Sequence, residues 1–185
     1  MHKAIWLDTI NQEKIIQYKK LTGGVSSEVY HVKTIKNNYC IKRSLKRLLV
    51  KKKWIANTNR IKFEYLWLKH CQNILKRNIP NTYEFNNKKK YIVMEYLKTS
   101  QYKTLKQLYF NKIININTIR SISKHLYKIH SNSNDYKTKK TFEGNYKNFY
   151  DLRLDPYFNE VGRVYPKYKG YIKKINENYI KHSNT

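Results

Sequence analysis

Lys42 ends the short apolar run Tyr39-Cys40-Ile41-Lys42, which reads as a strand with one buried face. A lysine on such a face is costly to bury unless an acid pairs with it. Glu64, on the stretch of helical period that follows, is the obvious partner. A lysine held this way suits the α- and β-phosphates of a nucleotide. Upstream, in Thr22-Gly23-Gly24-Val25-Ser26-Ser27, Gly23 and Gly24 let backbone N–H groups approach a polyphosphate closely, and Ser26 and Ser27 offer further donors. Downstream, the backbone of Met94-Glu95-Tyr96-Leu97 suits the edge of an adenine, from Glu95 to Leu97, with Met94 beside the ring. Each feature also has a plain alternative. Gly-Gly between strands is an ordinary hairpin tip. Lys42 also opens the basic run continuing through Arg43, Lys46, Arg47 and residues 51–53, and Met94 to Leu97 also reads as a buried strand end with no ligand.

The elements that must position these residues follow from hydrophobic period. Strands are expected at 15–18, 29–32 and 39–42, with a tight turn at Asn37-Asn38, since Asn tolerates the left-handed region. From 61 to 75 the period changes, and Phe63, Leu66, Trp67, His70, Cys71 and Ile74 fall on one helical face. Pro80 ends that helix, and a strand pair follows at 82–85 and 91–97 around Asn86-Asn87. The nearly continuous apolar run from Tyr91 to Leu97 reads as a central strand buried on both sides. Beyond residue 98 the strands stop. Ile119, Ile122, Leu126 and Ile129 predict a helix over 118–131 with Asn117 as its cap, and 132–141 reads as a polar loop. Pro156 and Pro166 bracket short helical stretches, and 169–181 reads as a last helix. The expected architecture is α+β: a five-stranded antiparallel unit with one helix over residues 1–97, then an all-helical unit over 98–185.

Composition narrows the function classes. The 185 residues carry a formal charge of +27, which invites a nucleic-acid reading, because basic stripes are the footprint of phosphate-backbone binders. Lys, Asn, Ile, Tyr and Phe, however, supply 97 of the 185 residues, and these types share AT-rich codons. Coding drift is therefore a second explanation of the basicity, and charge alone decides nothing. At 40% hydrophobic and 15% aromatic residues, the chain is too apolar for a disordered polyampholyte. No apolar run approaches the ~18 residues of a membrane span. No signal peptide is visible, and Cys40 and Cys71 lack disulfide-framework or metal spacing, so free thiols in a cytoplasmic protein are expected.

Strand, glycine loop, strand, turn, strand with an embedded lysine, then a helix with a glutamate is the order of a kinase-type small lobe. The run Leu21-Thr22-Gly23-Gly24-Val25-Ser26-Ser27-Glu28-Val29-Tyr30 resembles the glycine loop of the aminoglycoside phosphotransferase family and its methylthioribose-kinase-like and choline-kinase-like relatives. The resemblance continues through Tyr39-Cys40-Ile41-Lys42-Arg43, Trp54, Arg60-Ile61-Lys62-Phe63-Glu64 and Val93-Met94-Glu95-Tyr96-Leu97. It extends to Leu126-Tyr127-Lys128-Ile129-His130 and Leu152-Arg153-Leu154-Asp155-Pro156-Tyr157, covering about residues 20–180. It implies a protein-kinase-like bilobal fold, ATP with Mg²⁺ as phosphoryl donor, and a small-molecule hydroxyl as acceptor. The nucleotide-binding residues it implies are Gly23, Gly24, Ser26, Ser27, Lys42, Glu64, Met94, Glu95 and Leu97.

The family's catalytic loop, a His-Gly-Asp run with an Asn five residues after the Asp, does not occur in this sequence, and no metal-binding Asp follows it. The chain is therefore similar to the front part of such a kinase, with no catalytic base or metal ligand assigned and no phosphoryl transfer expected of it alone. Two rival readings stay open. One is a nucleic-acid-binding module built on residues 42–53, seven of them basic, with Leu45, Leu48 and Leu49 at helical spacing. The other is a noncatalytic kinase remnant serving as a scaffold.

Overall fold

The computed structural model describes residues 7, 9–10, 12–22 and 24–183, with the backbone alone at 182 and 183. The chain is α+β. Its strands are β1 (Thr9–Ile10), β2 (Glu13–Leu21), β3 (Ser27–Thr34), β4 (Asn38–Ser44), β5 (Thr82–Asn86) and β6 (Tyr91–Glu95). They form one antiparallel sheet in the order β1-β2-β3-β4-β6-β5. The described sheet thus has six strands where five were expected. The added strand, β1, folds back on β2 with Thr9 opposite Lys14, through a turn in which Gln12 takes φ 64°. Ile10 from β1 packs in one cluster with Tyr30, Val32, Tyr39, Ile41, Tyr91 and Val93. Strands at nearly opposite ends of the order share that cluster, so the sheet curls around it.

Alternation along the strands produces this core. Ile41, Ile92 and Val93 are wholly buried, each contributing about 1.5–3 kcal/mol relative to an exposed side chain. The β3–β4 connection is a tight turn, but it falls at 35–37 rather than on Asn37-Asn38: Asn38 already pairs in β4, and neither Asn takes a positive φ. Thr34 N–H donates to Asn37 O at 2.9 Å, and Asn37 N–H donates back to the Thr34 hydroxyl at 3.0 Å. Glu13 accepts from Asn37 Nδ2 at 2.7 Å and from the Thr34 hydroxyl, which holds its carboxyl below its ordinary value. The run expected at 91–97 is a strand only to Glu95. It is buried on both faces at Tyr91, Ile92 and Val93, and half-buried from Met94 onward.

The helices are α1 (Arg60–Leu75), α2 (Leu105–Phe110), α3 (Ile116–Ser131), α4 (Tyr136–Phe142), α5 (Tyr146–Phe149), α6 (Glu160–Val164) and α7 (Lys169–Ser183). A π-helical stretch, Tyr150–Asn159, joins α5 to α6, so the helix runs through Pro156 instead of stopping beside it. The wider turn accommodates a residue with no N–H to give. The buried residues of α1 are Ile61, Cys71 and Leu75, whereas Trp67 stays 39% exposed and meets Phe142 edge-on at 5.4 Å. Of the expected face, Cys71 is thus buried, Phe63, Leu66, His70 and Ile74 are half-buried, and Trp67 is exposed; Ile61 and Leu75 join the buried set because α1 is apolar on more than one side. The cap of α3 is Asn115, not Asn117: its Oδ1 accepts from Thr118 N–H at 3.0 Å. Of the apolar positions on α3, Ile129 is buried, while Ile119 and Leu126 are exposed. The expected loop at 132–141 contains α4, started by Asp135, whose carboxylate accepts from the Thr138 amide at 2.9 Å.

Residues 45–56 form no helix. They make a hairpin-like excursion in which Leu48 N–H donates to Trp54 O and Ala56 N–H to Lys46 O, each at 2.9 Å, with Arg47 bridged to Ile55. Leu48 is buried and Leu49 is 55% exposed, so the helical spacing of the leucines does not build a basic recognition helix.

Two compact units divide the chain at 142/143. The first holds the sheet and α1 to α4, with α1 packed on β4, β5, β6 and α3. In the second, a Cβ on Gly162 would lie 3.4 Å from Lys169 Cα, which marks a close approach of α6 to α7. Asn176 donates to Asn159 at 2.7 Å, and Phe149 stacks on Tyr179 at 4.9 Å.

Candidate functional site

Register places the candidate residues. Lys42 lies opposite Val29 on β3 and Ile92 on β6, on the sheet face away from the Ile41–Val93 cluster. Cys40 and Met94 share that face one row along, since Cys40 lies opposite both His31 and Met94. Helix α1 covers part of the same face. It is tied to β5 by Tyr65 stacked on Phe85 at 4.9 Å and by Lys69 Nζ donating to Thr82 O at 3.0 Å. The consequence is the central feature of the site: Lys42 Nζ donates to Glu64 Oε1 at 2.5 Å, joining β4 to α1. The side chains are 29% and 36% exposed, so the pair borders solvent rather than lying sealed in a core.

The loop before β3 runs toward the same end of the sheet. Gly23 lies outside the described residues. A Cβ on Gly24 would meet only Ser27 O, at 4.0 Å, so the backbone there is open to close approach. Ser26 is half-buried, and its carbonyl accepts from Leu45 N–H at 3.1 Å and from Arg60. Ser27 is the first residue of β3, paired with Ser44 and buried, so it belongs to the sheet rather than to the loop tip.

Past Met94, Glu95 lies opposite Tyr39, on the other face of the sheet, and is already engaged. Its N–H donates to Asn81 O at 2.8 Å, and its carboxylate accepts from the Asn81 backbone and side-chain amides at 3.1 and 3.2 Å. Leu97 follows β6 in a half-buried, irregular segment.

Three residues given no role by sequence reasoning enter here. Tyr96 stacks on His31 with ring centroids 3.8 Å apart and planes at 13°. Because β4 lies between β3 and β6, the two rings meet over the Cys40 row. Burial pushes the Cys40 thiol up to about 11, with Lys42 pulling the other way. Arg60, in the first turn of α1, donates to the carbonyls of Asn57, Ser26 and Leu45. Its sequence signal is its rarity: Arg stands there in a chain with 32 Lys and 7 Arg. For His31 and Tyr96 the signal is strand alternation, which places them on the Lys42 face with Val29 and Met94.

The arrangement provides a cation fixed by a carboxylate, an open loop backbone at one end and a flat aromatic pair at the other. That combination suits an elongated anion carrying a planar group. Among the described residues, no three His, Cys, Asp or Glu side chains gather as a metal site, and no helix is long and apolar enough to cross a membrane. No family model matches the chain, and no curated protein matches it either.

Proposed function

We propose that the chain is the nucleotide-binding part of an ATP-dependent phosphotransferase of the protein-kinase-like, aminoglycoside-phosphotransferase type, acting on a small-molecule hydroxyl. The observation that carries the reading is the Lys42–Glu64 contact of 2.5 Å. It joins the strand bearing the lysine to the helix after it, downstream of a glycine loop, as a kinase site requires. In this reading Lys42 neutralises phosphate oxygens, and Glu64 keeps its ammonium aimed at them. The backbone of Gly24 and Val25 approaches the phosphates. With the Glu95 N–H committed to Asn81, recognition of the base edge falls to the backbone from Tyr96 to Leu97, with Met94 beside the ring and the stacked His31 and Tyr96 rings next to it. ATP, when bound, supplies the transferable phosphoryl group. No step is assigned to the metal or to a catalytic base.

The test is titration with a fluorescent ATP analogue at roughly physiological salt, where diffuse attraction to a +27 chain is screened. Lys42→Met is compared with Lys89→Met, a charge-matched change at an exposed turn. The reading expects Lys42→Met to weaken binding about tenfold or more, a loss of ~1.4 kcal/mol, and Lys89→Met to leave it unchanged. Equal effects of the two substitutions would refute it.

A further inference from the structure

Arg60 makes the most connected side-chain contact beside the site. Its Nη1 donates to Asn57 O at 2.8 Å, and its Nη2 donates to Leu45 O at 2.8 Å and to Ser26 O. These carbonyls belong to three different segments: the turn before α1, the residue just past β4, and the exit of the glycine loop. The same junction is reinforced by Leu45 N–H donating to Ser26 O at 3.1 Å and Leu49 N–H to Val25 O at 2.8 Å. Ser44 Oγ donates to Thr58 O at 2.7 Å, one residue pair further along. Arg60 also stands four residues before Glu64 in α1, so the two share a helix face.

We propose that Arg60 is a positioning residue that locks the exit of the glycine loop to the start of α1, so that the loop backbone and Glu64 keep a fixed separation. The guanidinium reaches the three carbonyls from two nitrogens fixed in one plane, Nη1 to Asn57 and Nη2 to Ser26 and Leu45. A lysine has three N–H donors but would have to reach all three carbonyls from a single nitrogen. That explains why arginine stands here in a chain whose other cations are mostly lysine. Burial lowers the Arg60 pKa while Glu64 opposes the shift, as expected for a guanidinium working inside a junction. The mechanical claim stands on these contacts. Its consequence, that Arg60 sets nucleotide affinity without touching the nucleotide, rests on the reading above.

The experiment compares wild type, Arg60→Lys, Arg60→Met and Lys42→Met by amide hydrogen exchange and by titration with the fluorescent ATP analogue. Exchange at Leu45 and Leu49 is expected to speed up about tenfold or more in both Arg60 variants, with Ile41 and Val93 unchanged, because exchange reports local opening. Binding is expected to weaken in both variants, with Arg60→Lys failing to rescue it. Unchanged exchange at Leu45 and Leu49, uniform acceleration across the sheet, or full binding by Arg60→Lys would overturn the proposal. If Lys42→Met binds as wild type while the exchange pattern appears, the locking role stands and the nucleotide reading falls. If Lys42→Met loses binding while both Arg60 variants keep it, the reverse holds. Arg60→Lys keeps the charge and most of the stem, so it carries the test should Arg60→Met fail to fold.

Discussion

Glu64→Gln and Lys42→Met should have unequal effects on stability, and their combination should expose the energy of the pair. A hydrogen bond between charged partners contributes about 1.5–3 kcal/mol where water is excluded, and an exposed ion pair only ~0.2–1 kcal/mol. With the two side chains 29% and 36% exposed, the solvent-discounted coupling falls at roughly 1–1.5 kcal/mol. Removing Glu64 leaves a half-buried ammonium in a chain of net charge +27, so Glu64→Gln should cost about 1.5–2 kcal/mol, lowering Tm by roughly 3–8 °C. Lys42→Met removes that ammonium and substitutes an apolar stem of similar length, so it should lie within ~0.5 kcal/mol of wild type. In the Met background, Glu64→Gln should then cost only about 0.5 kcal/mol. Urea unfolding followed by tryptophan fluorescence is the suitable assay, since Trp54 and Trp67 belong to the first compact unit. A coupling below ~0.3 kcal/mol would show that the contact is not an energetic link between β4 and α1.

Raising salt from low ionic strength to about 0.3 M should stabilise the protein, because screening the self-repulsion of a +27 chain outweighs the weakening of its exposed ion pairs; a falling urea midpoint would contradict this. Glu13 titrates below its ordinary 4.5 in the folded protein, chiefly through the Thr34 hydroxyl, so its contribution is present above that value and lost as pH falls through the folded pKa. Glu13→Gln should therefore flatten the acid limb of the stability profile, which a pH series of urea midpoints would measure. The Cys40 thiol, pushed up to about 11, should alkylate slowly at neutral pH in the native protein and rapidly in urea, as followed by mass spectrometry.

Much of the sheet was legible because alternating residues such as Tyr39 and Ile41 against Cys40 and Lys42 announce both the strand and its faces. The Lys42–Glu64 contact was legible for the same reason: a cation on an inward strand face needs a partner, and the next helix carries one. Elements without a period were not. β1 is two residues long, too short to alternate. α4 buries no residue, so no apolar stripe marks it, although Asp135 three residues before Thr138 was an available cap signal. On α1, apolar residues on more than one side left the helical face ambiguous, and Trp67 was assigned inward when Ile61, Cys71 and Leu75 are the buried set. Flanking Ile116, Asn115 and Asn117 are equal candidates by type, and only backbone geometry selects Asn115. The role of Arg60 was hidden because its partners are carbonyls far apart in sequence, and carbonyls leave no trace in residue identity.

In the proposed function, the end of the sheet from the glycine loop past Lys42 to Leu97 holds a nucleotide. The most direct measurement is amide chemical-shift mapping of the labelled chain with a nonhydrolysable ATP analogue, at a salt concentration that screens diffuse attraction. Saturable shifts at Gly24, Val25 and Ser26, at Lys42 and from Met94 to Leu97, lost in Lys42→Met, are the predicted result. Small shifts spread over the lysine-rich surface, or a saturable set confined to the 45–56 excursion, would contradict it.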